Sequence, residues 1–222
     1  MNLIRAIIWF TFIAGFVGLL LSKVMPASAQ TVPPPAVTAP APEGSPRSDF
    51  ASRLSAAALE RTRHVVRYEP AYVRIPYPGG DVSASTGVCT DEVIRSYRAL
   101  GIDLQKEVHQ DMALHFKLYP RTWKQKGPDS NIDHRRVPNL MVFLSRKGEA
   151  LPVTHDAADY LPGDLVTYDL GGNLPHIALV VDSKAPSGRY PIVHNIGSGP
   201  KLEDVLFNWT ITGHYRYSGP RQ

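Results

Sequence analysis

The chain has 222 residues, with 24 Lys and Arg against 20 Asp and Glu, eight His and one Cys. That length suits one globular domain plus a short extra segment, and 43% hydrophobic with 20% charged residues is the composition of a folded protein. The lone Cys89 excludes an intrachain disulfide, a cysteine zinc knuckle and an iron–sulfur site, and a net charge of +4 without basic runs argues against nucleic acid as a partner.

Arg5 followed by the apolar run Ala6–Leu21 and the small-residue pattern Ala27-Ser28-Ala29 reads as a signal peptide over residues 1–29, with Gln30 the first mature residue. The run is short of the ~20 residues a bilayer span needs. An uncleaved N-terminal anchor is the alternative, and would be the domain's only link to a membrane. Both place the domain outside the cytoplasm. Cleavage removes Arg5 and Lys23, so the charge falls from +4 to +2. Residues 30–48 are rich in Pro and Ala and are expected to form an extended tether. The domain is set at 49–222.

Asp49 is expected to cap a helix whose stripe is Phe50, Leu54, Ala57 and Ala58. Val65–Tyr77 reads as extended chain. Thr90–Leu100 reads as a second helix, with Asp91 and Glu92 in its first turn and Gly101 just beyond its end. A third starts near Asp103 and carries Leu104, Val108, Met112 and Phe116 until Pro120 stops it. Residues 121–136 are polar and turn-rich, and Pro138–Lys147 reads as a fourth helix. Thereafter Asp164–Leu170, His176–Asp182, Pro191–Gly197 and Ile211–Tyr217 read as strands separated by Gly-rich turns. Helices first and strands after predict an α+β domain, N-terminal helices packed on a small antiparallel sheet.

Cys89 falls at the predicted start of a helix, where unpaired N–H groups and the helix dipole favour a thiolate. The alternative is a buried structural thiol, since free Cys is among the most buried residue types. A thiolate nucleophile needs a base and a group to orient that base. His176 opens one strand and His194 lies on the next, so a hairpin would bring both to one end of the sheet. Period two puts His176 on the face of Ala178 and Val180, opposite Ile177 and Leu179.

Leu161-Pro162-Gly163-Asp164-Leu165-Val166, then Pro175-His176-Ile177-Ala178-Leu179-Val180 and Ile192-Val193-His194, resemble the catalytic half of NlpC-type cell-wall cysteine peptidases. The resemblance implies a papain-like fold, Cys89 as nucleophile, His176 as base and His194 as the residue orienting it. Ile75-Pro76-Tyr77-Pro78-Gly79-Gly80 resembles the family's tyrosine-glycine stretch, which implies a substrate or oxyanion role for Tyr77. Two features depart from the family. Val88-Cys89-Thr90-Asp91 replaces its Asp-Cys-Ser-Gly, and residues 103–158 form an insert. The run Asn131-Ile132-Asp133-His134-Arg135-Arg136-Val137-Pro138-Asn139-Leu140, with Cys-Thr-Asp at the helix start and Thr212–Tyr217 at the end, resembles a bacterial exported family of unassigned function, a distant branch of the NlpC type.

Asp133, His134, Arg135 and Arg136 are candidate substrate-binding residues, because two adjacent Arg in a turn can fork onto carboxylates of peptide stems. The alternative is a solvated loop with Asp133 paired locally to Arg135 or Arg136. His64, His109, His155 and His214 show no partner pattern, and His115 is assigned to packing. The chain has no His-Glu-x-x-His, Walker loop, dinucleotide fingerprint or Gly-x-Ser-x-Gly elbow. A metal amidase using Asp133, His134, His176 and His194 matches no defensible spacing. The expectation is an exported thiol hydrolase without cofactor or metal, cutting a peptide or amide bond of peptidoglycan or other envelope material. A non-catalytic binding module and an acyltransferase are the alternatives.

Overall fold

The computed structural model describes residues 46–220, so the expected leader and most of the tether lie outside the described residues. Four helices come first: α1 Pro46–Arg61, α2 Cys89–Arg98, α3 Leu104–His115 and α4 Val137–Lys147. β1 (Arg67–Tyr68) and β2 (Thr86–Gly87) form a two-residue parallel pair before α2. A six-stranded antiparallel sheet follows, from β3 Glu149–Leu151, β4 Leu165–Asp169, β5 Pro175–Val180, β6 Ile192–Asn195, β7 Pro200–Glu203 and β8 Thr210–Arg216. The strand order is β3-β8-β4-β5-β6-β7. The arrangement is the expected α+β one.

Helix α1 starts at Pro46 rather than at an Asp49 cap, so residues 46–48, expected in the tether, are helical. Proline suits a first helical position because its missing N–H would lack a partner there anyway. Asp49 becomes a first-turn acid facing Arg53 at 3.5 Å. Helix α2 ends as predicted: Gly101 has φ +83° and Ile102 N–H donates to Tyr97 O at 3.1 Å, closing the last turn. Asp103 caps α3 by accepting from Lys106 N–H. His115, assigned to packing, is exposed instead, 3.9 Å from Asp111.

The sheet is buried on both faces. Toward the helices, Ile177, Leu179 and Val193 pack with Val93, Tyr97, Val108, Met112, Leu140 and Phe143. On the other face, Ala178, Val180 and Ile192 pack with Tyr160, Tyr168 and Leu206. Double burial explains why the segment after His176 is an apolar run rather than an apolar–polar alternation. Strands β3 and β7 were not predicted. Both are edge strands of three or four residues with partly exposed side chains, so they lack an apolar signature.

The Leu161–Asp164 turn ties the sheet to α1. Gly163 has φ +88°, and a Cβ there would stand 2.9 Å from the Ala51 Cβ, so only glycine fits. Asp164, fully buried, accepts from Leu161 N–H, from His214 Nε2 at 2.7 Å and from the Arg216 guanidinium. His214 also stacks on Tyr160 at 4.3 Å between ring centres. This histidine had no partner pattern in sequence because its partner lies fifty residues away.

Candidate active site

Helix α2 begins at Cys89, with Val88 in extended conformation before it. Asp91, two residues into the helix, accepts the Val88 N–H at 2.7 Å, satisfying one of the open donors of the helix start. Arg135 then grips Asp91 with two bonds, Nε to Oδ1 at 2.8 Å and Nη2 to Oδ2 at 3.0 Å. Its guanidinium also donates to Ala71 O and Glu69 O, and its own carbonyl accepts from Thr90 Oγ1 at 3.1 Å. The Cys-Thr-Asp start and the Asp-His-Arg-Arg segment therefore meet.

This corrects the substrate-binding expectation for that segment. The Arg135 and Asp91 side chains are each 2% exposed, so the fork is closed on an internal carboxylate and has no free edge for a ligand. Asp133 is buried and accepts from Gln125 Nε2 and from the Asp129 backbone N–H. His134 is buried, and burial, followed by the Arg135 charge, pushes it down to about 3. Arg136 covers the Trp123 ring at 4.1 Å and lies 3.6 Å from Asp133. Of the solvated-loop alternative, the local pairing of Asp133 with Arg136 is present, but Asp133, His134 and Arg135 are buried rather than solvated.

The Cys89 sulfur is buried beside β5. Backbone N–H groups of Ile177, Thr90 and Cys89 itself point at it and favour the thiolate, yet burial outweighs them and pushes the thiol up to about 11. The thiolate expected from helix-start placement is thus not the resting form.

The two histidines meet as the hairpin predicted. His176 Nε2 and His194 Nδ1 are 2.9 Å apart, and His194 Nε2 lies 2.7 Å from Glu203 Oε2. Glu203 sits diagonally from His194 across β6 and β7, on the same face. Trp209 covers the pair, 5.7 Å from the His194 ring and 6.4 Å from that of His176, with Tyr168 beneath. Burial, then the neighbouring His194, lowers His176 to about 3, and burial lowers His194 against the opposing pull of Glu203.

One set of protons fits this chain. Glu203 carboxylate can only accept, so His194 Nε2–H donates to it and His194 Nδ1 carries the lone pair. His176 Nε2–H then donates to His194 Nδ1, leaving His176 Nδ1 unprotonated and ready to accept a proton. No hydrogen bond joins the Cys89 sulfur to the His176 ring among the described residues. The sulfur instead meets the N–H of Ile177, the next residue along the same strand.

Tyr77 does not join this group. Its exposed ring packs edge-on against His109 at 4.9 Å, with no hydrogen bond or ring contact to Cys89, His176 or His194. The tyrosine beside the sulfur is Tyr68, which burial and then the nearby Cys89 and Asp91 raise to about 12. It reaches the site because Tyr68 pairs with Gly87, two residues before Cys89. A two-residue strand leaves no periodicity, so no sequence signal marks Tyr68. Glu203 escaped notice because it ends a short, partly exposed edge strand that has no apolar signature.

Two buried histidines held neutral make folding acid-sensitive. Unfolded, both titrate near 6.5; folded, His134 and His176 stay neutral to about 3. The unfolded chain therefore binds more protons across that window, and stability is full above it and lost as pH falls from about 6.5 toward 3. Urea midpoints measured from pH 7 to 4 should drop. His134→Gln should flatten that limb by about one proton, and an unchanged slope would count against neutral burial of His134.

On the sheet face that carries the histidine pair, a cavity of about 660 Å³ is lined by Val153, His155, Asp169, Leu170, Phe207 and Trp209 among others, so Trp209 walls both. Fold and site together define an α+β protein with a thiol at a helix start on one face of the sheet and a His–His–Glu relay on the other. The chain belongs to the family described as a domain of unknown function, DUF1287, whose model matches residues 55–217. It is 49% identical over 164 residues to the Escherichia coli K12 protein described as "Uncharacterized protein YijF", covering 74% of this chain and 80% of that one. Among solved structures it is similar to NlpC1 from Trichomonas vaginalis, with 16% identity and a TM-score of 0.39. That match covers 75% of this chain and 44% of the other, so the chain spans less than half of that structure's length.

Proposed function

We propose that this protein is an exported thiol hydrolase of papain-like, NlpC-type organisation, which cleaves a peptide or amide bond of envelope material, most simply a peptidoglycan stem peptide. The carrying observation is the His176–His194–Glu203 chain of hydrogen bonds at 2.9 and 2.7 Å, and the proton assignment argued above gives it a His176 Nδ1 free to accept a proton. The segments that resemble NlpC-type peptidases supply His176 and His194 with their strands, and Glu203 comes from β7 outside them.

In this mechanism the thiol starts neutral. His176 Nδ1 takes the Cys89 proton as the sulfur attacks the carbonyl, so activation is by general base rather than by a standing thiolate. A positive charge then develops on His176, and Glu203 stabilises it through His194. Collapse of the adduct releases the amine, which takes the proton from His176. Water then cleaves the acyl-enzyme with His176 again as base. His176 lies on the Trp209 face of the sheet and Cys89 on the helix face, so the first step requires the His176 ring to swing round the open end of β5 to the sulfur.

The mature protein should release peptides with new free amines from purified peptidoglycan sacculi. Glu203→Gln should lower kcat about tenfold, because the neutral amide stabilises the imidazolium less and no longer imposes one tautomer. Wild-type kcat in that variant would remove the relay from the mechanism.

Burial favours a second reading, a non-catalytic envelope-binding module, since Cys89 is 5% exposed. That reading requires slow iodoacetamide labelling of Cys89 even with sacculi present, whereas a hydrolase should lose activity in step with labelling.

A further inference from the structure

Asn195 ends β6 and is fully buried. Its Oδ1 accepts the Gly197 N–H at 3.1 Å, which fixes the orientation of the amide, and its Nδ2 has no partner among the described residues. A buried N–H donor left unsatisfied costs about 1–3 kcal/mol, and such a group in a native fold calls for a ligand or water to complete it.

The strand alternation tells where this donor lies. Ile192 and His194 share the face of Ala178 and Trp209, while Val193 packs in the cluster that holds Cys89 and Ile177. Asn195 is two residues beyond Val193, so it lies on the Cys89 side of the sheet. The β5–β6 pairing ends at Leu179 with Val193, and Ile177 and Asn195 are the next residues on that face of each strand beyond it. The Ile177 N–H is the one that meets the Cys89 sulfur. The open amide and the thiol therefore share the end of the sheet where β5 and β6 part.

We propose that Asn195 is a further catalytic residue, whose Nδ2–H holds the oxygen of the carbonyl that Cys89 attacks. The proposal rests on the thiol-hydrolase reading. As the Cys89 proton passes to His176, the S–C bond forms and the carbonyl π pair moves onto oxygen, where Asn195 and the N–H groups of the α2 start stabilise it. On collapse that pair re-forms the C=O bond, the C–N bond breaks and the amine leaves with the His176 proton. A side-chain amide donor to such an oxygen contributes about 10²–10³-fold in kcat.

The test compares Asn195→Ala, Asn195→Asp and Cys89→Ala on soluble disaccharide-peptide fragments of peptidoglycan, with melting temperature and iodoacetamide alkylation measured alongside. Asn195→Asp keeps an acceptor for Gly197 N–H but removes the donor. Alkylation displaces iodide and forms no oxyanion. The expected result is a kcat about 10²–10³-fold lower in both Asn195 variants, with KM changed less than about threefold. Both Asn195 variants should melt below wild type, since Asp buries a carboxylate without a counter-charge and Ala drops the bond to Gly197 N–H. The kcat is therefore read well below both melting temperatures, where Asn195→Ala should alkylate at the wild-type rate. If Cys89→Ala is inactive while both Asn195 variants keep wild-type kcat, the proposal is overturned and the hydrolase reading stands. A fall in alkylation matching the fall in kcat overturns it too, as it marks a role in placing the thiol. Full activity in Cys89→Ala overturns both.

Discussion

Cys89→Ala is expected to abolish amine release from peptidoglycan while leaving the fold in place. Activity should fall by on the order of 10⁴ or more, the scale seen when the nucleophile of a hydrolytic triad is removed. Cys89 packs in the helix-side cluster, so truncation to Ala should cost only about 1 kcal/mol. Cys89→Ser should be nearly as inactive, since a neutral His176 can accept a proton from a thiol far more readily than from an alcohol. His176→Ala should match both, because residues acting as a unit are not additive in their losses. Circular dichroism and thermal melting separate lost chemistry from lost folding. A Cys89→Ala protein that retains wild-type release would end the thiol mechanism.

The second large effect is structural. Arg135→Ala should destabilise the domain by about 3–5 kcal/mol, because it leaves the Asp91 carboxylate buried without its counter-charge. For a domain of this size that is roughly 10 °C in melting temperature. Asp91 would still accept the Val88 N–H, so the start of α2 should loosen rather than vanish. Arg135→Lys should recover only a fraction, since an ammonium cannot supply two parallel bonds to Asp91 along with the bonds to Ala71 O and Glu69 O. A variant of normal stability with only a raised KM would restore the substrate-binding role and refute the clamp.

The helices were legible in sequence wherever a local signal ran for ten or more residues. Leu104, Val108 and Met112 repeat on one face of α3, and Gly101 marks the end of α2 through a conformation that glycine adopts without strain. The long central strands were legible as apolar runs. Cys89 at a helix start and two histidines on neighbouring strands were also readable, and the hairpin joins those histidines at 2.9 Å.

The remainder depended on contacts across the chain. Arg135 looked like a surface fork because an Arg-Arg pair in a polar stretch carries no mark of its partner, and Asp91 lies 44 residues away. Tyr77 stands out in sequence because its setting resembles a motif, whereas Tyr68 carries no such mark and comes near Cys89 through a two-residue strand pairing.

The sequence by itself determined the order of helices and strands and put a lone thiol at a helix start, because periodicity, caps and breakers act within a few residues. Only the tertiary structure decided which charges meet, and that Glu203 completes the relay. It also reversed the expected thiolate. Helix position lowers a thiol's pKa locally, but enclosure by β5 and the core raises it more, and that enclosure exists only once the chain has folded.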